Sequence, residues 1–320
     1  MDTPVPGEAA ETRAGPPHFK RIALIGIGLI GSSVARAVRR NNLADELVCT
    51  DISPDHRAKA EALHLVARAY DRPEEAVKGA DLVILCSPVG SYGELVEAIA
   101  GALEPGCILT DVGSVKAAVV NAVQPHVPEG VHFIPGHPVA GTEQSGPEAG
   151  FADLFENRWC ILTPAKGVDQ QALGRLKGFW QAMGANVEVM DAVHHDLVLA
   201  ITSHVPHLIA YNIVGTAADL EEVTQSEVIK YSAGGFRDFT RIAASDPTMW
   251  RDVFLNNKEA VLEMLGRFVE DLTALQRAIR WGEADTLMEL FTRTRAIRRS
   301  IVEAGQESPA PDFGRKHSEN

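Results

Sequence analysis

The residue with the clearest chemical potential is His137, which stands between Gly136 and Pro138 after an apolar run. The flanking glycine and proline predict a loop rather than a packed helix face, so a silent core role is less expected. Imidazole titrates near neutral pH. It can therefore accept the proton that an alcohol loses when its carbon gives up a hydride. This position predicts a general base.

Two further histidines, His204 and His207, lie three residues apart in an apolar segment, and Asp196 precedes them. Histidines at this spacing could bind a metal, contact a substrate or pack in a core. No cysteine or carboxylate stands at ligand spacing beside them, and Pro206 disturbs helical geometry between them. We expect no metal, and substrate contact and core packing both stay open.

A third cluster follows Gly234 and Gly235, two adjacent glycines that predict a break in the chain. Asp238 and Arg241 are three residues apart, so on a helix they can form an ion pair that holds the guanidinium. A planar guanidinium suits a carboxylate ligand. The alternative is a solvated surface pair without a ligand.

An apolar strand that begins at Ile22 runs into a G-x-G-x-x-G motif and then into a helix. In this context the glycines permit a tight turn, a close approach of pyrophosphate and close helix packing. The next strand ends in Asp51, whose carboxylate can bind ribose hydroxyls and repels a 2′-phosphate. NAD is therefore expected rather than NADP. The residues expected at this cofactor are Gly26, Gly28, Leu29, Ile30, Gly31 and Asp51.

Two more loops are expected at the same edge of the sheet, where the carboxyl ends of parallel strands bind ligands. Ser87, Pro88 and Val89 follow the third apolar strand and are expected to touch the cofactor, although Ser87 could be an ordinary turn residue. Ser114 follows the fourth strand. It could cap the helix predicted from Val115 or face a ligand.

The elements that must position these residues follow a strand–helix alternation, which indicates a parallel sheet covered on both faces. A capping box of Ser91 with Glu94 is predicted to open one helix. A later strand–helix–strand unit is assigned to the same domain. The predicted strands are Ile22–Gly26, Leu47–Asp51, Asp81–Cys86, Cys107–Asp111, His132–Pro135, Trp159–Thr163 and Val187–Met190.

After Asp191 the pattern changes to helices alone. One is predicted over His194–Leu220 with a kink at Pro206, one from Asp246-Pro247 toward Ile279, and one over Glu283–Ala304. The fold class is therefore an α/β Rossmann-type dinucleotide-binding domain followed by an all-α domain. The predicted organisation is a disordered arm (1–20), a nucleotide-binding domain (21–190), a helical domain (191–304) and a polar tail (305–320).

Composition narrows the function classes. The 320 residues carry a formal net charge of −13, which disfavours unassisted binding to nucleic acid or to anionic membranes. No uninterrupted apolar stretch reaches membrane-spanning length, and the N-terminus lacks the apolar core of a signal peptide. The four cysteines predict buried thiols in a reducing compartment, with a disulfide or reactive thiol as the alternative. We expect a cytoplasmic protein without nucleic-acid or membrane partners.

Taken together, these segments resemble the prephenate/arogenate (cyclohexadienyl) dehydrogenase family of tyrosine biosynthesis. The resemblance runs from Arg21 to Arg299 and is far more specific than a dinucleotide fingerprint alone. It implies oxidative decarboxylation of prephenate, arogenate or both with NAD, giving 4-hydroxyphenylpyruvate or tyrosine. It also implies a homodimer formed through an all-α dimerisation domain. The motifs that carry it are GIGLIGSS, CSPV, DVGSVK, GHPVAGTEQSG, HHDLVLAITSHVPH and GGFRDFTRIAASDPTMW.

The resemblance also implies roles for individual residues. His137 would hydrogen-bond the ring hydroxyl and assist hydride transfer, and Ser114 would support that hydroxyl and the nicotinamide side. Arg241 would bind a substrate carboxylate. Residues implied to line or adjoin the substrate pocket are His204, His207, Trp250 and Gly234, with Asp196 and Asp238 as supporting residues.

Two alternatives stay open. Another two-domain reductase of the β-hydroxyacid dehydrogenase type would commonly use a lysine as acid/base after the sheet, but Asp191–Leu220 contains none. A redox sensor that binds NAD without turnover would need no ordered base and would tolerate the loss of His137. Within the family, prephenate and arogenate are both open as substrates.

Overall fold

The computed structural model describes residues 16–219 and 234–303. The chain divides into two compact units, with the division after Val261. The change from mixed α/β structure to helices alone falls inside the first unit, after Val189. Most of the predicted N-terminal arm, the predicted polar tail and the end of the helix predicted to Leu220 lie outside the described residues.

The main sheet of the first unit has six parallel strands in the order β3-β2-β1-β4-β5-β6. This is the strand order of doubly wound nucleotide-binding folds. The third strand was not predicted, because its three residues include an exposed arginine and no apolar run. The strands are β1 (Phe19–Ile25), β2 (Ala44–Thr50), β3 (Arg68–Tyr70), β4 (Leu82–Leu85), β5 (Ile108–Asp111) and β6 (His132–Phe133).

Helices connect these strands, and the central strands are buried on both faces. Ile22, Ala23 and Leu24 of β1 are all fully buried, which explains the continuous apolar run. The helix predicted after the glycine motif is confirmed as α1. The connecting helices are α1 (Leu29–Arg40), α2 (Pro54–Ala62), α3 (Pro73–Val77), α4 (Tyr92–Ile99) and α5 (Ala117–Val123).

The later strand–helix–strand unit forms a second sheet rather than extending the first. Its strands β7 (Gly136–Pro138), β8 (Trp159–Leu162) and β9 (Asn186–Val189) lie in that order, and α6 (Gln170–Ala182) joins the last two. The first pair is antiparallel and the second is parallel. His137 pairs with Ile161 in this sheet, so the predicted loop position of His137 is wrong.

The next helical run is irregular just before Pro206, where a kink was predicted. Helix α7 (Ala192–Leu199) passes into a π-helical turn (Ala200–His204) and then into α8 (Val205–Asp219). The irregularity therefore lies in the turn that precedes Pro206, where a proline removes a backbone hydrogen bond of the helix.

By length and composition, the helical run Ala192–Asp219 could cross a membrane, although polar residues interrupt its apolar ones. A single helix of this kind is weak evidence for a membrane, since core helices pass the same test. Here His195, Asp196 and His204 are buried inside the protein.

The remaining helices are α9 (Gly234–Thr240), α10 (Pro247–Asn256), α11 (Lys258–Trp281) and α12 (Ala284–Glu303). The predicted cap of α10 is confirmed, because the Asp246 carboxylate accepts hydrogen bonds from the backbone amides of Thr248 and Met249 at 2.8 and 3.0 Å. The helix does not continue toward Ile279 as predicted. It ends before Asn257, whose side chain forms hydrogen bonds with the Asp196 carbonyl and with His204.

The second unit comprises most of α11 and all of α12, joined by a turn in which Gly282 has a φ of +67°. Its apolar side chains are largely exposed. A groove of about 500 Å³ lies along these two helices. Among the residues that line it are Val269, Leu272, Ile279, Leu287 and Phe291.

Candidate active site

The glycine loop after β1 has the geometry that its sequence predicts. Gly26 has a φ of +99°, and a Cβ there would lie 2.6 Å from the carbonyl carbon of Cys86. A Cβ at Gly31 would lie 2.2 Å from the carbonyl oxygen of Gly26. At Gly28, by contrast, a Cβ would meet no atom within 4 Å. The backbone at the N-terminus of α1 is thus open to a phosphate group.

Asp51 lies beside this loop, directly after β2. Its carboxylate accepts hydrogen bonds from the backbone amides of Ile27 and Ser53, both at 2.9 Å. The side chain of His56 lies 3.3 Å from the same carboxylate. These contacts hold the carboxylate at the edge of the glycine loop, where a ribose would follow a bound pyrophosphate. Leu29 and Ile30 form the first turn of α1 and pack partly against the core.

Ser87, Pro88 and Val89 follow β4 at the same sheet edge, as predicted. The capping box predicted for α4 is wrong. The Ser91 hydroxyl donates to the carbonyl of Pro88 at 2.7 Å and lies 2.9 Å from the Ser87 hydroxyl. It is turned away from the amides of α4 because residues 89–91 form a short 3-10 turn.

A buried ion pair between Asp111 and Lys116, which the sequence analysis missed, lies beneath the loop that carries Ser114. Both side chains are fully buried. The Lys116 ammonium also donates to the Gly136 carbonyl at 2.6 Å, and Asp111 accepts from the Gly136 amide at 3.1 Å. Burial lowers the pKa of Lys116 and raises that of Asp111, each against the pull of its partner. The pair joins the end of β5 to the start of β7.

His137 lies next to this pair and is 7% exposed. Its Nδ1 is 2.8 Å from Nε2 of His195, and Nδ1 of His195 is 2.9 Å from Oδ1 of Asp196. Burial and the charges of neighbouring groups hold the pKa of His137 well below its ordinary value. The ring is therefore neutral at neutral pH and keeps a nitrogen lone pair that can accept a proton.

Asp196 contacts His195 and also binds the start of α5. Its two carboxylate oxygens accept the backbone amides of Lys116 and Ala117 at 2.7 and 2.9 Å. It therefore caps α5 from a separate helix, α7. The prediction that Ser114 could cap this helix is wrong, because α5 begins at Ala117, two residues later than predicted.

His204 is fully buried and is oriented by Asn257. The Asn257 amide lies 3.0 Å from Nδ1 of His204 and donates to the carbonyl of Asp196 at 2.8 Å. Burial lowers the pKa of His204 to about 4. The Ser114 backbone opposes this shift, and Nε2 of His204 makes no well-aligned hydrogen bond within the described residues. The ring is neutral, and with Nδ1 as acceptor its hydrogen is on Nε2.

His207 stacks on Trp250, with ring centroids 3.7 Å apart. Its Nδ1 donates to the carbonyl of Ser203 at 2.8 Å. Burial lowers the pKa of His207, and the charge of Arg241 lowers it further. Trp250 also meets the His204 ring edge to face at 6.1 Å. The structure thus brings the predicted residues His204, His207, Trp250 and Arg241 into one cluster.

The predicted pair between Asp238 and Arg241 is not formed. Arg241 lies in a 3-10 turn after α9 and pairs with Glu143 at 3.2 Å, whereas Asp238 pairs with Arg237 at 3.3 Å on the surface. The helix ends at Thr240, so the expected helical spacing is lost. Gly234 lies in α9, and the residues that precede it, where the break was predicted, are outside the described part of the chain. A Cβ at Gly234 would lie 3.7 Å from the Asp238 carboxylate.

Three residues of the cluster carry a buried nitrogen that has no hydrogen-bond partner among residues 16–219 and 234–303. They are Nε2 of His204, Nε of Arg241 and Nε1 of Trp250. Buried donors are almost always paired, so unpartnered ones in a cluster indicate the position of a polar ligand. Within the described residues, no group of three or more ligating side chains is arranged to hold a metal.

Sequence reasoning missed His195, Lys116, Asp111 and Asn257, all of which are buried. Asp111 and Lys116 fall within the DVGSVK motif, and His195 adjoins Asp196, so proximity to motif residues was an available signal. Asn257 carried no signal, because it stands inside what reads as a continuous helix.

These features are typical of an oxidoreductase class that has a dinucleotide-type glycine loop at one sheet edge and a buried, neutral histidine in the same unit. Two family models match the chain: "Prephenate dehydrogenase, nucleotide-binding domain" over residues 34–189 and "Prephenate dehydrogenase, dimerization domain" over residues 191–293. The chain belongs to the prephenate dehydrogenase family. The predicted family, fold class and dehydrogenase activity are confirmed, and the reductase and sensor alternatives are set aside.

Individual relatives agree with this assignment. The cyclohexadienyl dehydrogenase of Zymomonas mobilis is 42% identical over 88% of this chain and 96% of its own. The prephenate dehydrogenase of Aquifex aeolicus, solved with hydroxyphenyl propionate and NAD⁺, is 34% identical with a TM-score of 0.82, over 88% of this chain and 98% of its own. The arogenate dehydrogenase of Synechocystis is 26% identical with a TM-score of 0.74, over 88% and 99%.

Proposed function

We propose that this chain oxidatively decarboxylates prephenate, arogenate or both with NAD, and that His137 is the general base. The observation that carries the proposal is the cluster in which a neutral, buried His137 lies near His204, whose Nε2 has no hydrogen-bond partner among the described residues. A base and an unpartnered donor together suit a substrate hydroxyl that must lose its proton. The activities named for the three relatives support the same reaction.

The cofactor is NAD, held by the glycine loop and Asp51. Gly28 leaves the N-terminus of α1 open for pyrophosphate, and the Asp51 carboxylate favours free ribose hydroxyls over a 2′-phosphate. Ser87, Pro88 and Val89 extend this surface at the end of β4. Bound NAD supplies the hydride acceptor, and the remaining chemistry belongs to the chain.

His137 takes the proton of the C4 hydroxyl as hydride leaves the same carbon. Ser114 supports this hydroxyl, and the His204 Nε2–H donates to a polar group of the substrate. Arg241 binds a substrate carboxylate, with its unpartnered Nε available beside the contact to Glu143. Trp250 and His207 form the stacked wall of the pocket, and Gly234 adjoins it. Loss of the C1 carboxylate as CO2 then aromatises the ring.

The test is the substitution His137→Asn. We expect NAD binding to be retained and kcat to fall by about 10²–10⁴-fold, the scale of a general base. NADH formation is followed with prephenate and with arogenate, and the Kd of NAD is measured separately. The exposed His64→Asn serves as the matched control and should leave kcat unchanged. An unaltered kcat in the His137 variant would remove this residue from the mechanism.

We further propose a homodimer formed through the helical region, the part matched by the dimerisation-domain model. In the first unit, Val193, Leu197 and Ile201 expose 69%, 37% and 47% of their surface. In the second unit, Ile279 and Phe291 expose 68% and 56% beside the groove. Apolar surface of this extent marks an interaction site.

Sedimentation of the wild-type chain should give twice the chain mass of 34.5 kDa. Ile279→Glu should shift the population toward monomer, because a buried unpaired charge is costly at an interface. Leu63→Glu, at an exposed leucine outside the helical region, is the control. Equal masses for the two variants would argue against this surface.

We also propose that the protein is located in the cytoplasm. The four cysteines are free thiols, and three of them are buried, as expected for a reducing compartment. Fractionation of the source cells, with the enzyme activity as marker, tests it. Activity recovered outside the cytoplasmic fraction would refute it.

A further inference from the structure

We propose that His195 is a positioning residue that keeps the hydrogen of His137 on Nδ1, so that Nε2 of His137 is free to accept the substrate proton. The inference deepens the proposed function and rests on it. His195 was not among the residues that the sequence singled out. It is fully buried and touches His137 on one side and Asp196 on the other.

The direction of each hydrogen bond follows from Asp196. Oδ1 of Asp196 already accepts the Lys116 amide at 2.7 Å, and its other oxygen accepts the Ala117 amide at 2.9 Å. Both oxygens of this carboxylate are thus acceptors, and a carboxylate has no hydrogen to donate. Nδ1 of His195, 2.9 Å away, must therefore carry the hydrogen in that contact.

The same logic continues to His137. A neutral imidazole that donates through Nδ1 accepts through Nε2. Nε2 of His195 is 2.8 Å from Nδ1 of His137, so His137 donates to it. The only tautomer of neutral His137 that fits has a lone pair on Nε2. The hydrogen bond at one ring nitrogen thus decides the chemistry at the other.

The charges around the two rings agree with this assignment. Burial lowers the pKa of both His137 and His195, so both rings are neutral before the reaction. The other groups that face His137 are Lys116 and His204. Lys116 is paired with Asp111, and His204 is itself neutral because burial lowers its pKa. Neither group offers His137 Nδ1 a competing acceptor.

In the reaction, the O–H bond of the substrate hydroxyl breaks and its proton bonds to His137 Nε2. The hydride leaves the same carbon for NAD, and the C=O bond forms. The positive charge on His137 is then stabilised through His195 by the Asp196 carboxylate. When the C1 carboxylate leaves as CO2, its bonding electrons complete the aromatic ring. The proton returns from His137 to the ring oxygen, so atoms and charges balance.

The first measurement reads the tautomer directly in the wild-type holoenzyme. Nitrogen-15 NMR of histidine-labelled protein, with His137 assigned by the spectrum of His137→Asn, should show hydrogen on Nδ1 of His137. A hydrogen on Nε2 would overturn the proposal. This measurement does not depend on turnover, so it separates a failure of the positioning role from a failure of the proposed function.

The second measurement compares two variants. His195→Leu removes the acceptor and should lower kcat by about 10²–10⁴-fold, the contribution of a well-placed base, with the Kd of NAD unchanged. His195→Gln keeps an acceptor for His137 Nδ1 and should recover most of that loss. His194→Leu, at the exposed neighbouring histidine, is the control and should leave kcat unchanged.

Two outcomes would overturn the inference from these variants. One is a kcat in His195→Leu equal to that of the wild type. The other is an equal loss in the Leu and Gln variants, since a purely structural role would not distinguish them. If His195→Leu does not fold, the NMR measurement of the His137 tautomer in the wild-type protein still tests the proposal.

Discussion

The glycine loop after β1 and the histidine cluster around His137 belong to one candidate site but are built differently. The glycine loop and Asp51 lie within a short stretch of chain, and their geometry is set by backbone conformation. In the cluster, His137 and His195 are 58 positions apart, and Asn257 and His204 are 53 positions apart. The first region depends on local sequence and the second on tertiary packing.

The two regions also differ in their electrostatics. The glycine loop offers backbone dipoles and one half-buried carboxylate to the cofactor. The cluster holds several ionisable groups away from solvent, where burial shifts their pKa values. Substitutions of buried residues and changes of pH should therefore affect the histidine cluster most. Substitutions in the glycine loop and at Asp51 should instead change the selectivity for the cofactor.

The largest expected effect is on stability, from Lys116→Met. This change leaves Asp111 buried without its partner, and we expect the free energy of unfolding to fall by about 3–5 kcal/mol. Urea denaturation measures it. Lys59→Met, at an ion-paired but partly exposed lysine, is the matched control and should cost less than about 1 kcal/mol. Similar small costs at both sites would contradict the distinction between buried and surface pairs.

Acid should destabilise the cluster in a predictable window. Burial lowers the pKa of His204 from 6.5 to about 4, so the unfolded state binds protons more readily than the folded state. Stability should be constant above pH 6.5 and fall as the pH drops toward 4. His204 alone accounts for about 3 kcal/mol, since one pKa unit corresponds to about 1.4 kcal/mol.

The lowered pKa values of His137, His195 and His207 add to this loss in the same direction. Urea denaturation at a series of pH values checks the prediction. The surface variant His194→Asn should follow the wild-type curve. Stability that stays level between pH 7 and 5 would show that the histidines are not neutral in the folded protein.

The smallest effect is expected from Asp51→Ser, which addresses the glycine loop alone. Loss of the carboxylate should reduce the preference for NAD over NADP by about ten- to a hundredfold, the value of a hydrogen bond to a charged group. Initial rates with each cofactor measure it, and kcat at saturating NAD should change little. Asp55→Ser on α2 is the control. A preference unchanged in Asp51→Ser would refute the ribose contact.

The difference between the glycine loop and the histidine cluster also explains which parts of the site could be predicted from the sequence. Gly26, Gly31 and Asp51 were predictable because their function follows from local conformation and short spacing. The alternation of apolar strands with helices was sufficient for the main sheet. The three-residue strand β3 and the pairing of β7 with β8 were missed, since neither leaves a period in the sequence.

Side-chain partners were the least predictable part of the site. Arg241 was expected to pair with Asp238 because helical spacing was assumed, and it pairs instead with Glu143 in a distant loop. His195 was passed over in favour of Asp196, although the two act in the same hydrogen-bonded chain. A partner that lies far away in sequence cannot be identified from spacing alone.

The cap that Asp196 places on α5 has a consequence for the independence of the nucleotide-binding region. The acceptor for the first amides of α5 comes from beyond Asp191, on the far side of the predicted boundary at residue 190. A fragment cut at that boundary would lose the acceptor for the loop that carries Ser114, as well as the contact at His137. The boundary suggested by the pattern of elements is therefore a poor place to divide the gene.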